Sequence, residues 1–193
     1  MSSDAGDRIV AIVGAGLGGT LVAVHLLRSP GVVDRVVVIE RADRDIGGVA
    51  YSTPSSSHTL NVPAGRMSAF DEDPDGFLRF ARAREPALTG GSFVPRRLYG
   101  EYLASLLDDA RRGAAIPLTR VAGDVVELEP TAGKVRLTLA DGRSLEATHV
   151  VLAVGNYPPS DPPGIGDDVA GSLRYARDPW ARDALEADRD EPV

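Results

Sequence analysis

Three glycines and one glutamate carry the most specific chemistry in the sequence. Gly14, Gly16 and Gly19 form a Gly-x-Gly-x-x-Gly pattern, and Glu40 follows 21 residues after the last of them. In this pattern the first glycine permits a tight turn, the second lets the backbone approach a pyrophosphate, and the third lets a helix pack close to a strand. An acid at the position of Glu40 hydrogen bonds ribose hydroxyls and repels a 2′-phosphate. Together they predict a site for an adenine dinucleotide, with FAD and NAD as open alternatives.

The glycine pattern has this meaning only where a strand precedes it and a helix follows. Residues 8–14, RIVAIVG, have the apolar and β-branched composition of a buried parallel strand, and residues 35–41, RVVVIER, have the same character. Between them, apolar residues recur at helical spacing as far as the SPG sequence at 29–31. The sequence therefore predicts a βαβ unit of about 33 residues around the glycines.

The apolar stretch at residues 9–27 also has the length of a membrane span. It contains no Asp, Glu, Lys or Arg, and about twenty apolar residues suffice to cross a bilayer. Its four central glycines disfavour a continuous helix, and Asp4 and Asp7 before it are unlike the basic start of a signal peptide. A strand–turn–helix unit is therefore the favoured interpretation, and a membrane anchor is the alternative.

Composition excludes several kinds of site. The chain has 193 residues, no Cys and a formal net charge of −7. The lack of Cys excludes disulfides and thiolate ligands within the chain, and no cluster of His, Asp and Glu has metal-site spacing. The negative charge argues against non-specific nucleic-acid binding. We expect a cytoplasmic protein that binds small molecules, with no metal, nucleic acid or membrane among its partners.

After the βαβ unit, no regular alternation of strand and helix resumes from Ala42 to Ser92. Helices are predicted over residues 73–84 and 95–112, and a strand over 116–121. Three short strands are predicted over 124–129, 135–140 and 144–147, with turns at TAGK and ADGR. Residues 148–155, THVVLAVG, predict a further buried strand, and the chain becomes Pro-rich and acidic after Asn156. A simple NAD dehydrogenase does not have a three-stranded insertion followed by an apolar strand that ends in a glycine.

Four segments resemble the FAD/NAD(P)-binding flavoprotein family in their order and spacing. They read IVAIVGAGLGG, GGVAYSTPSSSHTLNVPAGRMSAF, FVPRRLYGEYL and LADGRSLEATHVVLAVGNYPP, and the resemblance covers about residues 8–160. That family is similar to the two-dinucleotide flavin monooxygenases, which include N-hydroxylating, Baeyer–Villiger and flavin-containing enzymes. The resemblance implies an α/β fold: a Rossmann-like FAD-binding domain with a parallel sheet, one glycine-rich βαβ unit and a three-stranded β insertion.

The resemblance also implies roles for individual residues at the adenosine and pyrophosphate end of FAD. The three motif glycines would hold the pyrophosphate. Glu40 would hold the adenosine ribose. Arg41, the next residue, is also among the predicted cofactor-binding residues. Val125 would meet the adenine edge through its backbone.

Other residues are implied nearer the flavin end. Gly48 and Val49 would lie near the pyrophosphate and the flavin, Asn61 and Val62 near the isoalloxazine, and Arg96 over the ribose and phosphate region. Gly155 matches a second strand-end glycine of the family. The usual pattern there is Ala-Thr-Gly, and this chain has Ala153-Val154-Gly155, so the threonine hydroxyl is missing.

The resemblance divides the chain into three parts. These are a polar tail over residues 1–7, an FAD-binding domain over 8–160, and a Pro/Asp-rich linker over 161–193 that leads toward a second nucleotide-binding domain. No second Gly-x-Gly-x-x-Gly follows Gly155. We therefore expect this chain alone to lack an NAD(P)H site, with NAD(P)H as reductant only in a full-length relative.

The favoured function is the FAD-binding portion of an NAD(P)H-dependent flavin oxidoreductase of monooxygenase type. Its catalytic residues and its small-molecule substrate are unknown. One alternative is a non-catalytic dinucleotide-binding module, or half of a split flavoprotein whose site a partner domain or chain completes. Another is an NAD-only oxidoreductase. The short-chain dehydrogenase class is excluded because it needs Tyr-x-x-x-Lys, and the only lysine, Lys134, has Pro130 four positions before it.

Overall fold

The structure is a computed structural model that describes residues 7–41, 46–53, 55–172 and 175–180. Its strands are β1 (Ile9–Val13), β2 (Arg35–Glu40), β3 (Leu118–Ala122), β4 (Val125–Thr131), β5 (Lys134–Leu139), β6 (Ser144–Ala147) and β7 (His149–Leu152). Its helices are α1 (Leu17–Arg28), α2 (Gly48–Tyr51), α3 (Gly76–Arg82), α4 (Arg96–Gly113) and α5 (Asp167–Ala170), with a 3₁₀ turn at Ala64–Arg66.

The first sheet is parallel and has the strand order β3-β2-β1-β7. Strand β1 pairs with β2 on one side, with Val10 opposite Val36, and with β7 on the other, with Val10 opposite His149. The chain thus passes from β1 through α1 to β2 on one side, and only much later forms β7 on the other side of β1. Such a reversal of strand order is a topological switch point, where α/β proteins bind ligands beyond the carboxyl ends of the strands.

Alternate residues of β1 and β2 supply two separate cores. Val10, Ile12, Val36 and Val38 face a layer of helices, chiefly α1 and α4. Ala11, Val37 and Ile39 face the second sheet, a three-stranded antiparallel meander of β4, β5 and β6. Because successive side chains point to opposite faces of a strand, the buried parts of both central strands must be apolar on both faces, as residues 9–13 and 36–39 are.

The predicted fold class is confirmed, with a parallel sheet, a glycine-rich βαβ unit and a three-stranded β insertion. The prediction of a buried strand over residues 148–155 is wrong in part. Strand β7 covers only His149–Leu152, and Leu152 and Val154 are 60% and 62% exposed. The physical reason is position: within the described residues β7 has one strand neighbour, β1, so it forms an edge of the sheet.

The chain separates into two compact units, Met1–Gly155 and Asn156–Val193. In the second unit, Asp161 accepts hydrogen bonds from Arg177 and Tyr175, which lower the pKa of that carboxyl. Most of the predicted polar tail (residues 1–6) and residues 181–193 of the predicted linker lie outside the described residues, so the predicted domain limits stay predictions. No helix in the described part of the chain is long and apolar enough to cross a membrane.

Candidate functional site: the carboxyl ends of the central strands

The turn after β1 is built from two glycines that the fold itself requires. Gly14 has a φ of +105°, and a Cβ there would lie 2.2 Å from the carbonyl oxygen of Ala153 at the end of β7. A Cβ on Gly19 would lie 1.9 Å from the carbonyl oxygen of Gly14. These two positions therefore pack β7 and α1 against the turn, the roles that the motif assigns to its first and third glycines.

Gly16 differs from its two partners, because the fold gives no reason for a glycine there. Its φ of −67° suits any residue, and a Cβ at this position meets nothing within 4 Å. Gly16 is the N-cap of α1, so it has no side chain to cap the first-turn N–H groups, and no acidic residue lies in that turn. The open space beside donor groups at a helix start fits a phosphate. The glycine turn therefore fits the pyrophosphate of a dinucleotide.

Glu40 lies at the end of β2 beside this turn. Its Oε2 accepts a hydrogen bond of 2.7 Å from the backbone N–H of Ala15, so one carboxylate oxygen is fixed against the glycine loop. The backbone N–H of Gly123 donates to the carbonyl oxygen of Glu40 at 3.0 Å, which brings the start of β4 and Val125 close to the same strand end. Arg41 is exposed at the next position. The structure thus brings Glu40, Arg41 and the Val125 segment together with the motif.

A second glycine turn closes against the first. The backbone N–H of Gly47 donates to the carbonyl oxygen of Ala15 at 3.0 Å, and Gly16 and Gly47 form an isolated parallel bridge. A Cβ on Gly48 would lie 3.0 Å from the Cα of Gly16. Val49, the next residue, is 43% exposed. Of the predicted pair, Gly48 therefore lies against the motif turn, and Val49 follows it on the short helix α2.

The segment that contains Asn61 and Val62 is attached to the start of α4. The backbone N–H of Arg96 donates to the carbonyl oxygen of His58 at 2.8 Å, and its Nε donates to the carbonyl oxygen of Thr59 at 3.0 Å. Asn61 is exposed and Val62 is half-buried. Arg96 therefore holds the backbone of this loop through its own backbone and side chain, a role that sequence reasoning did not foresee.

Two further residues near this loop were missed or set aside at the level of sequence. The Oγ1 of Thr53, a buried residue, lies 2.6 Å from Nδ1 of His58. Neither residue is among the predicted cofactor-binding residues. The S-T-P-S-S-S-H segment has too many hydroxyl residues for spacing alone to select the one that meets the histidine.

An aromatic cluster lies behind the second glycine turn. The ring of Tyr99 is 4.9 Å from the rings of both Tyr51 and Phe77, and 5.7 Å from that of Tyr102. Burial, with smaller effects from Tyr51 and Tyr102, raises the pKa of Tyr99 to about 12. Tyr99 is therefore neutral at ordinary pH, and the cluster packs α4 against the second glycine turn.

Comparison with known families agrees with this geometry. The family model described as FAD-NAD(P)-binding matches residues 11–157, which include the glycine turns, the loop before α4 and both sheets. The chain belongs to this FAD-NAD(P)-binding family. Dinucleotide binding is thus the family property of the site. A search of curated protein sequences found no match to the chain.

Solved structures similar to this family member include flavin monooxygenases. A flavin-containing monooxygenase from Stenotrophomonas maltophilia has a TM-score of 0.56 at 21% identity, over 81% of this chain and 41% of that one. A mutant cyclohexanone monooxygenase from Rhodococcus sp. Phi1, bound to NADP+, has a TM-score of 0.54 at 21% identity, over 82% of this chain and 28% of that one. At these identities the likeness establishes the fold, and the chain spans less than half the length of either protein.

Proposed function

We propose that the chain is the FAD-binding portion of an NAD(P)H-dependent flavin oxidoreductase of monooxygenase type. The observation that carries the proposal is the open space beside Gly16 at the start of α1. Gly16 is a glycine at a helix start where neither backbone conformation nor packing demands one, which indicates that the space belongs to a ligand. The names of the similar structures, which are flavin and cyclohexanone monooxygenases, favour FAD over NAD as that ligand.

The residues of the chain have separable tasks in this proposal. The Gly16 turn and the first N–H groups of α1 bind the pyrophosphate, and the free oxygen of Glu40 binds the adenosine ribose. Arg96 holds the loop that carries Asn61 and Val62 at the flavin end. A bound flavin would supply hydride acceptance and reaction with oxygen, while the protein supplies orientation and electrostatics.

The test is a pair of single substitutions in the same turn. Gly16→Ala is expected to fold as the wild type does, because its Cβ meets nothing within 4 Å, and to lose FAD affinity about tenfold or more, because the Cβ fills the space of the pyrophosphate. Gly18→Ala is the matched control: its Cβ also meets nothing within 4 Å, it occupies a variable position of the motif, and it should stabilise α1 by up to about 1 kcal/mol.

Affinity is measured by titrating apoprotein into FAD and following flavin fluorescence, with urea unfolding in parallel. Equal FAD affinity in wild type, Gly16→Ala and Gly18→Ala would contradict the proposal. So would wild-type protein that binds NAD in preference to FAD, since this is the behaviour of an NAD-only protein.

The oxidoreductase part of the proposal needs a separate experiment. Stopped-flow mixing of the FAD-loaded chain, alone and with an added NAD(P)H-binding partner domain from a full-length relative, follows flavin bleaching by NADPH and by NADH. Reduction that depends on the partner domain supports an oxidoreductase portion. Absence of reduction in both mixtures, with FAD bound, supports the non-catalytic binding module instead.

A further inference from the structure

Helix α4 packs against the second glycine turn at Gly100, which has no side chain. A Cβ on Gly100 would lie 2.4 Å from the carbonyl oxygen of Tyr51 and 3.2 Å from its carbonyl carbon. Real Cβ atoms essentially never approach closer than 3.0 Å. The backbone of the turn therefore occupies the space that any side chain at position 100 would need.

The same turn is held on its opposite side by the motif loop. Gly47 donates its N–H to the carbonyl oxygen of Ala15 and bridges to Gly16, and Gly48 lies against the Cα of Gly16. Residues 47–51 thus lie between α4 and the motif loop, with backbone contacts on both sides. A displacement of Tyr51 by α4 would act directly on Gly47 and Gly48.

Helix α4 itself has little freedom to move away. Tyr99, Tyr102 and Leu103 are all buried in the main core, and the ring of Tyr99 packs between Tyr51 and Phe77. Close-packed cores accommodate an added methyl group by shifting backbone or side chains at the weakest contact. Here that contact is the short α2 turn, none of whose residues is buried.

On the basis of the proposed function, we propose that Gly100 is a positioning residue for the pyrophosphate site. The bare Cα of Gly100 lets residues 47–51 approach α4, and this placement sets Gly47 and Gly48 at the distance from Gly16 that a pyrophosphate requires. Gly100 lies on a helix remote in sequence from the motif, and it acts through backbone contacts and not through contact with the cofactor.

The test compares ligands with and without phosphates on Gly100→Ala. FAD and ADP contain the pyrophosphate, and adenosine tests the ribose and adenine contacts alone. We expect Gly100→Ala to weaken FAD and ADP about tenfold or more, since small misplacements of binding groups have large effects, and to leave the Kd of adenosine unchanged within about twofold. Binding is measured by competition with FAD fluorescence and by ligand-detected NMR, well below the unfolding midpoint.

Two variants keep the test decisive. Gly113→Ala, on the last residue of α4, where a Cβ meets nothing within 4 Å, should bind all three ligands like the wild type. Tyr51→Ala keeps Gly100 but removes the ring that packs the turn against Tyr99. It should show the same selective loss of affinity for FAD and ADP. This variant tests the proposal if Gly100→Ala does not fold.

The outcomes separate this inference from the proposed function. Wild-type affinity of Gly100→Ala for ADP and FAD would overturn the positioning role, and so would an equal loss for adenosine, because a general loss of structure affects all ligands alike. If the wild-type protein itself binds adenosine but gains nothing from the phosphates of ADP or from FAD, the proposed function fails.

Discussion

Strands β1 and β7 lie side by side in the parallel sheet, and each leads to a glycine that the motif or the family pattern places at the cofactor. Both have apolar sequences that predict a buried strand. Strand β1 has neighbours on both sides and apolar layers on both faces. In the part of the chain that the structure describes, β7 lies at an edge of the sheet, and Leu152 and Val154, at and just beyond its end, are mostly exposed.

The glycines that follow these strands, Gly14 and Gly155, also differ in how closely the rest of the chain packs against them. A Cβ on Gly14 would collide with the carbonyl oxygen of Ala153, while a Cβ on Gly155 would meet nothing within 4 Å. Both have a positive φ, of +105° and +72°. The comparison shows that similar apolar strands ending in glycine can be under different constraints, and that the constraint depends on neighbours contributed by distant parts of the chain.

The largest effect should come from replacing Gly14 with alanine, and the same replacement at Gly155 is its comparison. Gly14→Ala combines backbone strain with a collision, each costing about 1–3 kcal/mol, and is expected to lower the free energy of unfolding by about 3 kcal/mol or more. Gly155→Ala incurs only the left-handed backbone penalty of about 1–2 kcal/mol. Urea unfolding of both variants measures the difference, and equal destabilisation would show that the contact of Gly14 with Ala153 is unimportant.

The next effect tests the strands themselves. Ile12, fully buried in β1, should lose about 2–5 kcal/mol of stability when it is replaced by Ala, because a cavity remains. Leu152→Ala removes the same number of atoms from a side chain that is 60% exposed, and it should change stability by about 0.5 kcal/mol or less. If Leu152→Ala destabilises the protein as strongly as Ile12→Ala, β7 is covered in solution and the comparison fails.

A smaller effect concerns the end of β2, which lies on the other side of β1 from β7. Glu40→Ala should weaken FAD binding by about 1.5–3 kcal/mol, the scale of a hydrogen bond to a charged group. The substitution also removes the bond to the Ala15 N–H, so fluorescence titration is paired with a stability measurement. Glu127→Ala, at an exposed position of β4, is the control. Wild-type affinity in Glu40→Ala would remove Glu40 from the site.

The smallest effect lies at the opposite end of β1. Hydrogen bonds from the Arg8 side chain and backbone lower the pKa of Asp34 from its usual value of 3.8 to about 2. A depressed carboxyl pKa stabilises the folded state above the unfolded pKa, and this contribution is lost as the pH falls from about 4 toward 2. The stability difference between wild type and Asp34→Asn, measured by urea midpoints, should therefore be present at pH 7 and shrink below pH 4. A difference that grows on acidification would contradict the role of this pair.

Much of the fold could be predicted because its signals are local. The glycine pattern, the strand before it and the helix after it lie within some thirty residues, and alternating apolar residues with Gly-containing turns define the meander of β4, β5 and β6. The same local pattern predicted that Glu40 lies near the motif, since a βαβ unit brings the carboxyl ends of its two strands together, and the hydrogen bond from the Ala15 N–H shows that it does.

Other features were decided only when distant segments came together. The sequence contains two strands that look equally buried, and only the strand order β3-β2-β1-β7 makes one of them an edge. The motif assigns a different role to each of its glycines, but only the folded chain supplies the backbone atoms that exclude a side chain at Gly14 and Gly19 and leave the space beside Gly16 open. Periodicity and spacing report which face of an element is apolar. They do not report which backbone atoms from distant parts of the chain pack against that face. The carbonyl oxygen of Tyr51, which would lie 2.4 Å from a Cβ at position 100, is therefore visible only in the folded structure.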